Sequence, residues 1–248
     1  MRDDSIESSL DSFLADGHIT EVVRVIKGGK EGTVYCCRGG PLVDDEFVAA
    51  KVYHPIEERG FRNDAIYQGG RMRGPRVRRE RLALTKKTAY GRRVQYGTWG
   101  AAEFETLGFL YEAGSDVPRP IEYKSGALLM QYIGDGEHAA PPLIQVELER
   151  DEAQRLLRRI MENIATWLGL NRVHGDLSPY NILYWNGAVT VIDFPQAVDP
   201  RFNHSARALL ERDLENVCRY FDRFGVHVEA GRIARQLWNG FVHGAVPT

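Results

Sequence analysis

Val173-His174-Gly175-Asp176-Leu177-Ser178-Pro179-Tyr180-Asn181, followed by Val191-Ile192-Asp193, sets out an Asp, an Asn five residues on, and a second Asp closing an apolar run. Phosphoryl transfer asks little covalent chemistry of a protein. It needs reactants positioned and charge neutralised. This spacing suits both needs. Asp176 can orient and deprotonate a hydroxyl, while Asn181 and Asp193 supply hard oxygen ligands for Mg²⁺. The bland alternative makes Asp176 and Asn181 turn residues and Asp193 a strand end. The segments upstream argue against it. His174 reads as an orienting core residue, because the motif places Asp176 better as the base.

Upstream, Gly28-Gly29-Lys30-Glu31-Gly32 separates two runs rich in Val, Ile and Tyr, Glu21–Ile26 and Thr33–Arg38. They read as strands joined by a glycine hairpin. Such a hairpin lets backbone N–H groups approach phosphate oxygens, and Lys30 adds charge. Next, Lys51 sits in the apolar run Phe47–Tyr53. A Lys there is costly unless paired. The candidate partner is Glu103, in a helix opening at Trp99 with Ala102, Phe104, Leu107, Leu110 and Tyr111 at near-helical spacing. Glu105 is the rival. It lies about 200° around the helix, so only one of the two can face Lys51. Ala127–Gly134 reads as a buried strand running into a linker, where a bilobal kinase docks adenine on backbone groups; Gln131 and Ile133 are the candidates.

The order of these parts resembles the RIO family of atypical serine/threonine protein kinases. Gly29-Lys30-Glu31-x-x-Val34-Tyr35 is similar to the family's phosphate loop, and Trp99 precedes Glu103 by four residues as in its helix motif. His174-Gly175-Asp176-Leu177-Ser178-Pro179-Tyr180-Asn181-Ile182-Leu183-Tyr184 is close to its catalytic loop. The resemblance runs from about Ile19 to Phe224. Gly32 and Thr33 depart from the Ala and Asn usual there, and Pro195 supplies no N–H donor after the metal Asp. The stretch before Ile19 leaves no room for the winged-helix module of one branch, so that branch is not expected.

The resemblance implies an α+β, bilobal protein-kinase-like fold, with a small twisted β-sheet lobe carrying one main helix and a mostly helical large lobe. It implies ATP and Mg²⁺ as cofactors, Mn²⁺ as a substitute, and Ser/Thr phosphorylation or autophosphorylation. Lys51, Asp176 and Asp193 become the catalytic set. Gly28, Gly29, Lys30, Glu31, Gly32, Val34, Lys51, Glu103, Gln131, Ile133 and Asn181 become the nucleotide site, and Asn181 and Asp193 the metal ligands. An ATPase-like cycle through an aspartyl phosphate on Asp193 is also implied.

The chain has 248 residues, 43% hydrophobic and 27% charged, which suits one soluble bilobal unit. A net charge of −2 hides an asymmetry: ten basic residues between Arg71 and Arg93 face one acid, Glu80, so the rest is acidic. That run suggests RNA or a ribosomal particle as partner, through salt-dependent phosphate contacts, though a solvated loop reads it equally well. Adjacent Cys36 and Cys37 should point to opposite faces of a strand, one core and one exposed. With Cys218 they make no disulfide framework and fit a reducing, cytoplasmic setting. No leader and no membrane-length apolar run is visible.

The expected organisation is a helical extension over 1–18, a small lobe over 19–133 with a basic insert at 54–98, and a large lobe over 134–248. Helices are expected at Ser5–Ala15, Glu147–Leu170, 206–224 and 228–242, with a hairpin turning at Asn186-Gly187. The short gap after Asp193 excludes a long activation segment. Asp213 stands where a helix Asp would hold the catalytic-loop backbone. Two alternatives remain open: a small-molecule kinase of the aminoglycoside or choline type, and a nucleotide-gated RNA- or ribosome-binding factor with little turnover.

Overall fold

The computed structural model describes residues 3–29, 32–54 and 89–244. These form two compact units. One takes in the residues before 55 together with 89–108 and Pro118–Ala139; the other takes in Phe109–Val117 and the chain from Ala140 on.

The first unit is built on a five-stranded antiparallel sheet in the order β1-β2-β3-β5-β4. Its strands are β1 (Ile19–Gly28), β2 (Gly32–Gly39), β3 (Phe47–Tyr53), β4 (Pro120–Lys124) and β5 (Ala127–Gln131). Helix α1 (Asp3–Ala15) belongs to this unit rather than standing apart. It buries Leu10 and Phe13 against Ile19, Cys37, Val48, Ala50, Val52, Ala127 and Leu129. The Ser9 hydroxyl ties the helix to the β4–β5 turn by donating to the Ser125 carbonyl at 2.7 Å.

One expectation fails here and one strand goes unread, each for a physical reason. Cys36 and Cys37 are both buried, because β2 lies inside the sheet with both faces covered. Strand β4 was not anticipated: it opens on a proline, and its alternation Ile121-Glu122-Tyr123-Lys124 is too short to stand out. Its signal was the turn Ser125-Gly126, where both residues have positive φ, 52° and 78°.

Helix α2 (Ala89–Glu112) starts ten residues before the expected opening at Trp99, so the end of the basic insert is helical. The Arg71–Lys87 part of that insert lies outside the described residues.

In the second unit, α3 (Arg150–Gly169) buries the predicted stripe Leu156, Ile160, Ile164, Trp167 and Leu168. It also buries Asn163, which hydrogen-bonds Asp116 on both its backbone N–H and its carboxylate. Arg159 grips the same carboxylate with two further bonds of 2.6 and 2.9 Å. The Asp116 carbonyl accepts from the Val191 N–H at 2.7 Å. Strands β6 (Ile182–Trp185) and β7 (Ala188–Val191) meet at Asn186-Gly187, both with positive φ as that dipeptide predicts. Helices α4 (Ala206–Asp222) and α5 (Ala230–Val242) complete the unit. Among the described residues no helix is long and apolar enough to cross a membrane.

Candidate active site

Lys51 occupies the middle of β3, in register with Val34 on one side and Leu128 on the other. Burial on all sides demands a counter-charge, and Glu103 of α2 provides it. The Lys51 ammonium donates to both Glu103 oxygens, at 2.9 and 2.8 Å, with the two residues only 6% and 1% exposed. Glu105 is exposed, so Glu103 alone takes this place. The Tyr53 hydroxyl also donates to Glu103, at 2.5 Å. Sequence reasoning missed Tyr53, although the two-residue period of a strand puts it on the Lys51 face.

The hairpin between β1 and β2 is closed by Gly29 N–H donating to the Gly32 carbonyl at 2.9 Å. Its tip residues Lys30 and Glu31 lie outside the described residues. A Cβ on Gly32 would fall 2.4 Å from the Val52 carbonyl oxygen, so the close β2–β3 approach requires glycine there. Nothing crowds the Cβ direction of Gly28. Thr33, the other departure from the family pattern, hydrogen-bonds the His54 ring through its hydroxyl at 2.9 Å.

At the far end of the sheet, the Gln131 N–H is spent on the Arg119 carbonyl at 2.8 Å. The Gln131 backbone therefore has only its carbonyl to offer a ligand, which narrows the expectation for it. Ile133 lies just past the end of β5. The segment beyond is stapled to β1 by Arg24, which donates to the Gly136 carbonyl at 3.0 Å and to the Tyr132 hydroxyl at 2.9 Å.

In the second unit the loop 173–181 is held from several sides. Val173 and Val198 exchange two backbone hydrogen bonds, of 3.0 and 2.9 Å. The His174 Nδ1 accepts from the Asp176 N–H at 3.3 Å, so the proton sits on Nε2, which faces the Ile192 carbonyl at 3.2 Å. The ring stacks obliquely on Phe194, with centroids 4.5 Å apart. The buried Asp213 carboxylate of α4 accepts from the Gly175 and Leu177 N–H groups at 2.8 and 3.0 Å. Arg212 donates to the Gly175 carbonyl and Asn216 to the Leu177 carbonyl. One face of α4 thus grips both peptide directions of the loop. Asp213 was anticipated; Arg212 and Asn216 were not, although they share its helix face.

With its backbone fixed, the Asp176 side chain reaches the surface. Its carboxyl is raised above the usual range, chiefly by the protein around it and also by the Asp193 charge, while Arg212 opposes the rise. Asn181 is buried and donates through Nδ2 to the Asp176 carbonyl at 2.9 Å. The ligating atom it can present is therefore Oδ1. Asp193 adopts φ 74°, an uncommon left-handed conformation for a residue other than glycine. Strain of this kind persists where the surroundings over-determine it. Burial pushes the Asp213 carboxyl up to about 7 against the pull of its two N–H donors.

Mg²⁺ characteristically takes one or two protein oxygens and completes its shell with substrate phosphates and water. Asn181 and Asp193 fit that need. Among the described residues there is no cluster of three or more His, Cys, Asp and Glu that would make an all-protein cage.

A strand lysine clamped by a helix glutamate in one unit, with an aspartate loop strapped to a helix in the other, is the architecture of the protein-kinase-like phosphotransferases. Comparison with known proteins narrows that class. The RIO domain matches residues 34–233, and the chain belongs to that family. It is 32% identical over 228 residues to the RIO-type serine/threonine-protein kinase Rio1 of Haloferax volcanii, covering 92% of this chain and 72% of that protein. It is also 32% identical over 233 residues to the serine/threonine-protein kinase RIO1 of Chaetomium thermophilum, covering 86% of this chain but 42% of that longer protein. The fold is similar to the Rio2 kinase–ADP/Mg²⁺–phosphoaspartate complex from Chaetomium thermophilum, with TM-score 0.65 and 20% identity. That match covers 96% of this chain and 69% of the other.

Proposed function

We propose that this chain transfers the γ-phosphoryl group of ATP to Ser/Thr hydroxyls, of a protein or of itself. The observation that carries the reading is the strapping of loop 173–181 by Asp213, which holds Asp176 at the surface with a raised carboxyl. Asp176 accepts the acceptor hydroxyl's proton. Lys51, fixed by Glu103, neutralises nucleotide phosphate charge. Gly28, Gly29, Lys30, Glu31, Gly32 and Val34 line the phosphates, and the Gln131 carbonyl and Ile133 backbone meet adenine. Asn181 and Asp193 hold Mg²⁺, which supplies charge neutralisation at the phosphates.

An ATPase cycle is the related reading. The solved Rio2 relative contains phosphoaspartate. In this chain a carboxylate oxygen of Asp193 would bond the γ-phosphorus as the bond to ADP breaks, and water would later release phosphate. The setting is cytoplasmic. The partner reading, RNA or a ribosomal particle bound through Arg71–Arg93, rests on sequence charge alone.

Asp176→Asn tests the assignment. The amide keeps the shape but takes no proton, so phosphoryl transfer should fall ~10²–10⁴-fold. ATP affinity, measured by calorimetry, should stay within a factor of a few. Unchanged turnover would show that another residue is the base.

A further inference from the structure

Helix α3 has a second face that the phosphotransfer site does not use. Arg150, Gln154, Leu157, Arg158 and Met161 follow one another along it at spacings of four, three, one and three, a single stripe. They form one wall of a cleft of about 380 Å³ within the helical unit. The opposite wall is the α4–α5 turn, Gly225–Val228, and Ile233 of α5. Gly225 has φ 72°, and the direction of its missing Cβ points toward the Arg150 guanidinium, 3.9 Å away.

The cleft has an apolar floor and a cationic rim. Leu157 is buried, while Met161, Val226, Val228 and Ile233 are partly open. Thioether and branched side chains of this kind give an adaptable apolar surface. Arg150 and Arg158 flank the floor, both exposed, and neither meets a carboxylate among the described residues. This sets them apart from neighbouring cations. Arg155, Arg159, Arg223 and Arg235 each pair with an acid within 4.0 Å. The acids nearest the turn are already engaged: Asp222 with His227, and Glu229 with Arg235. The apolar surface continues beyond the cleft along α5. Leu237, Trp238 and Phe241 are only partly covered, and Val242 is 62% exposed. A continuous apolar strip beside two uncompensated arginines is complementary to a chain that carries the opposite charge and its own apolar anchors.

We infer that the cleft between α3 and the α4–α5 turn is a docking site for an acidic protein segment. That segment inserts an apolar side chain over Leu157, Met161 and Ile233, and sets carboxylates against Arg150 and Arg158. The partner is a short linear stretch, because the cleft holds one or two side chains rather than a globular face. The site would hold a partner protein independently of the phosphotransfer chemistry.

The test uses the full chain and a fluorescein-labelled peptide alternating Asp and Glu with Leu and Phe, followed by fluorescence anisotropy. The expected result is micromolar binding that weakens at least tenfold in R150E/R158E and several-fold in Met161→Ser. Affinity should also fall with added salt. Arg150→Glu places an acid in the first turn of α3, which helix electrostatics favour, so the double variant should fold and keep wild-type autophosphorylation. Arg219→Glu, on the exposed side of α4, should bind like wild type. A peptide with Gln and Asn in place of the acids should not bind. Undetectable binding of the acidic peptide at millimolar concentration would overturn the inference. Binding indifferent to R150E/R158E would do the same. Binding of inorganic phosphate or an RNA oligomer through these arginines, without the peptide, would reassign the cleft to another ligand.

Discussion

Single side chains set the chemistry here, and the pair Lys51–Glu103 is the clearest case. Both are buried, so removing one strands a charge. Lys51→Ala should cost about 3–5 kcal/mol in urea unfolding as well as turnover. Glu103→Gln, which keeps an acceptor for Lys51 and Tyr53, should cost less on both counts; losses equal to those of Lys51→Ala would mean that the charge itself, rather than the hydrogen bonds, is what the site needs. Asp213 gives a pH signature. Its folded carboxyl sits at about 7 against an ordinary 3.8, so between those values the folded chain holds a proton that the unfolded chain lacks. Its contribution is therefore most favourable below the lower value, declines as pH rises through the window and is gone above about 7. Asp176, shifted in the same direction, acts in the same sense. Asp213→Asn should flatten this slope in thermal melts taken across the window. It should also loosen the loop, because an amide offers one acceptor oxygen to two N–H donors. Of the candidate site, the grouping of Asp176, Asn181 and Asp193 was legible in their spacing. The site was not legible where a residue acts through the fold. Tyr53, Arg24, Arg212 and Asn216 carry no motif, and only their placement on a strand or helix face gives them a task.

Elements were readable where their period was strong. The stripe of α3 and the turn Asn186-Gly187 fell where expected, while β4 escaped because a five-residue strand that opens on a proline shows its two-residue period only twice. Helix α1 teaches a different lesson. Its amphipathic pattern was plain, yet nothing local said which surface it would cover. It covers the sheet, and Phe13 is fully buried in the same cluster as Val52 and Leu129. Phe13→Ala should therefore cost about 3–5 kcal/mol, measured by chemical denaturation, as for other large-to-small changes in a core. A loss under 1 kcal/mol would mean that the helix is an appendage after all.

At the scale of the whole molecule, charge is divided against itself. The run Arg71–Arg93 is strongly basic while the net charge is −2. If that run meets RNA, replacing Arg76, Arg78, Arg79 and Arg81 with Gln should leave ATP binding intact and change the log–log salt slope of RNA binding by roughly 3. Wild-type protein without measurable RNA affinity at low salt would end that reading. The segment after Asp193 has an equally broad consequence. It is brief, and Val198 is tied back to Val173 five residues beyond the aspartate. Many signalling enzymes keep a long tether at this point, whose ordering another enzyme can license by adding a charged group. Here there is too little slack to be licensed. Such a catalyst would have no off state of that kind to inherit, and its output in the cell would follow the supply of nucleotide and the arrival of its client.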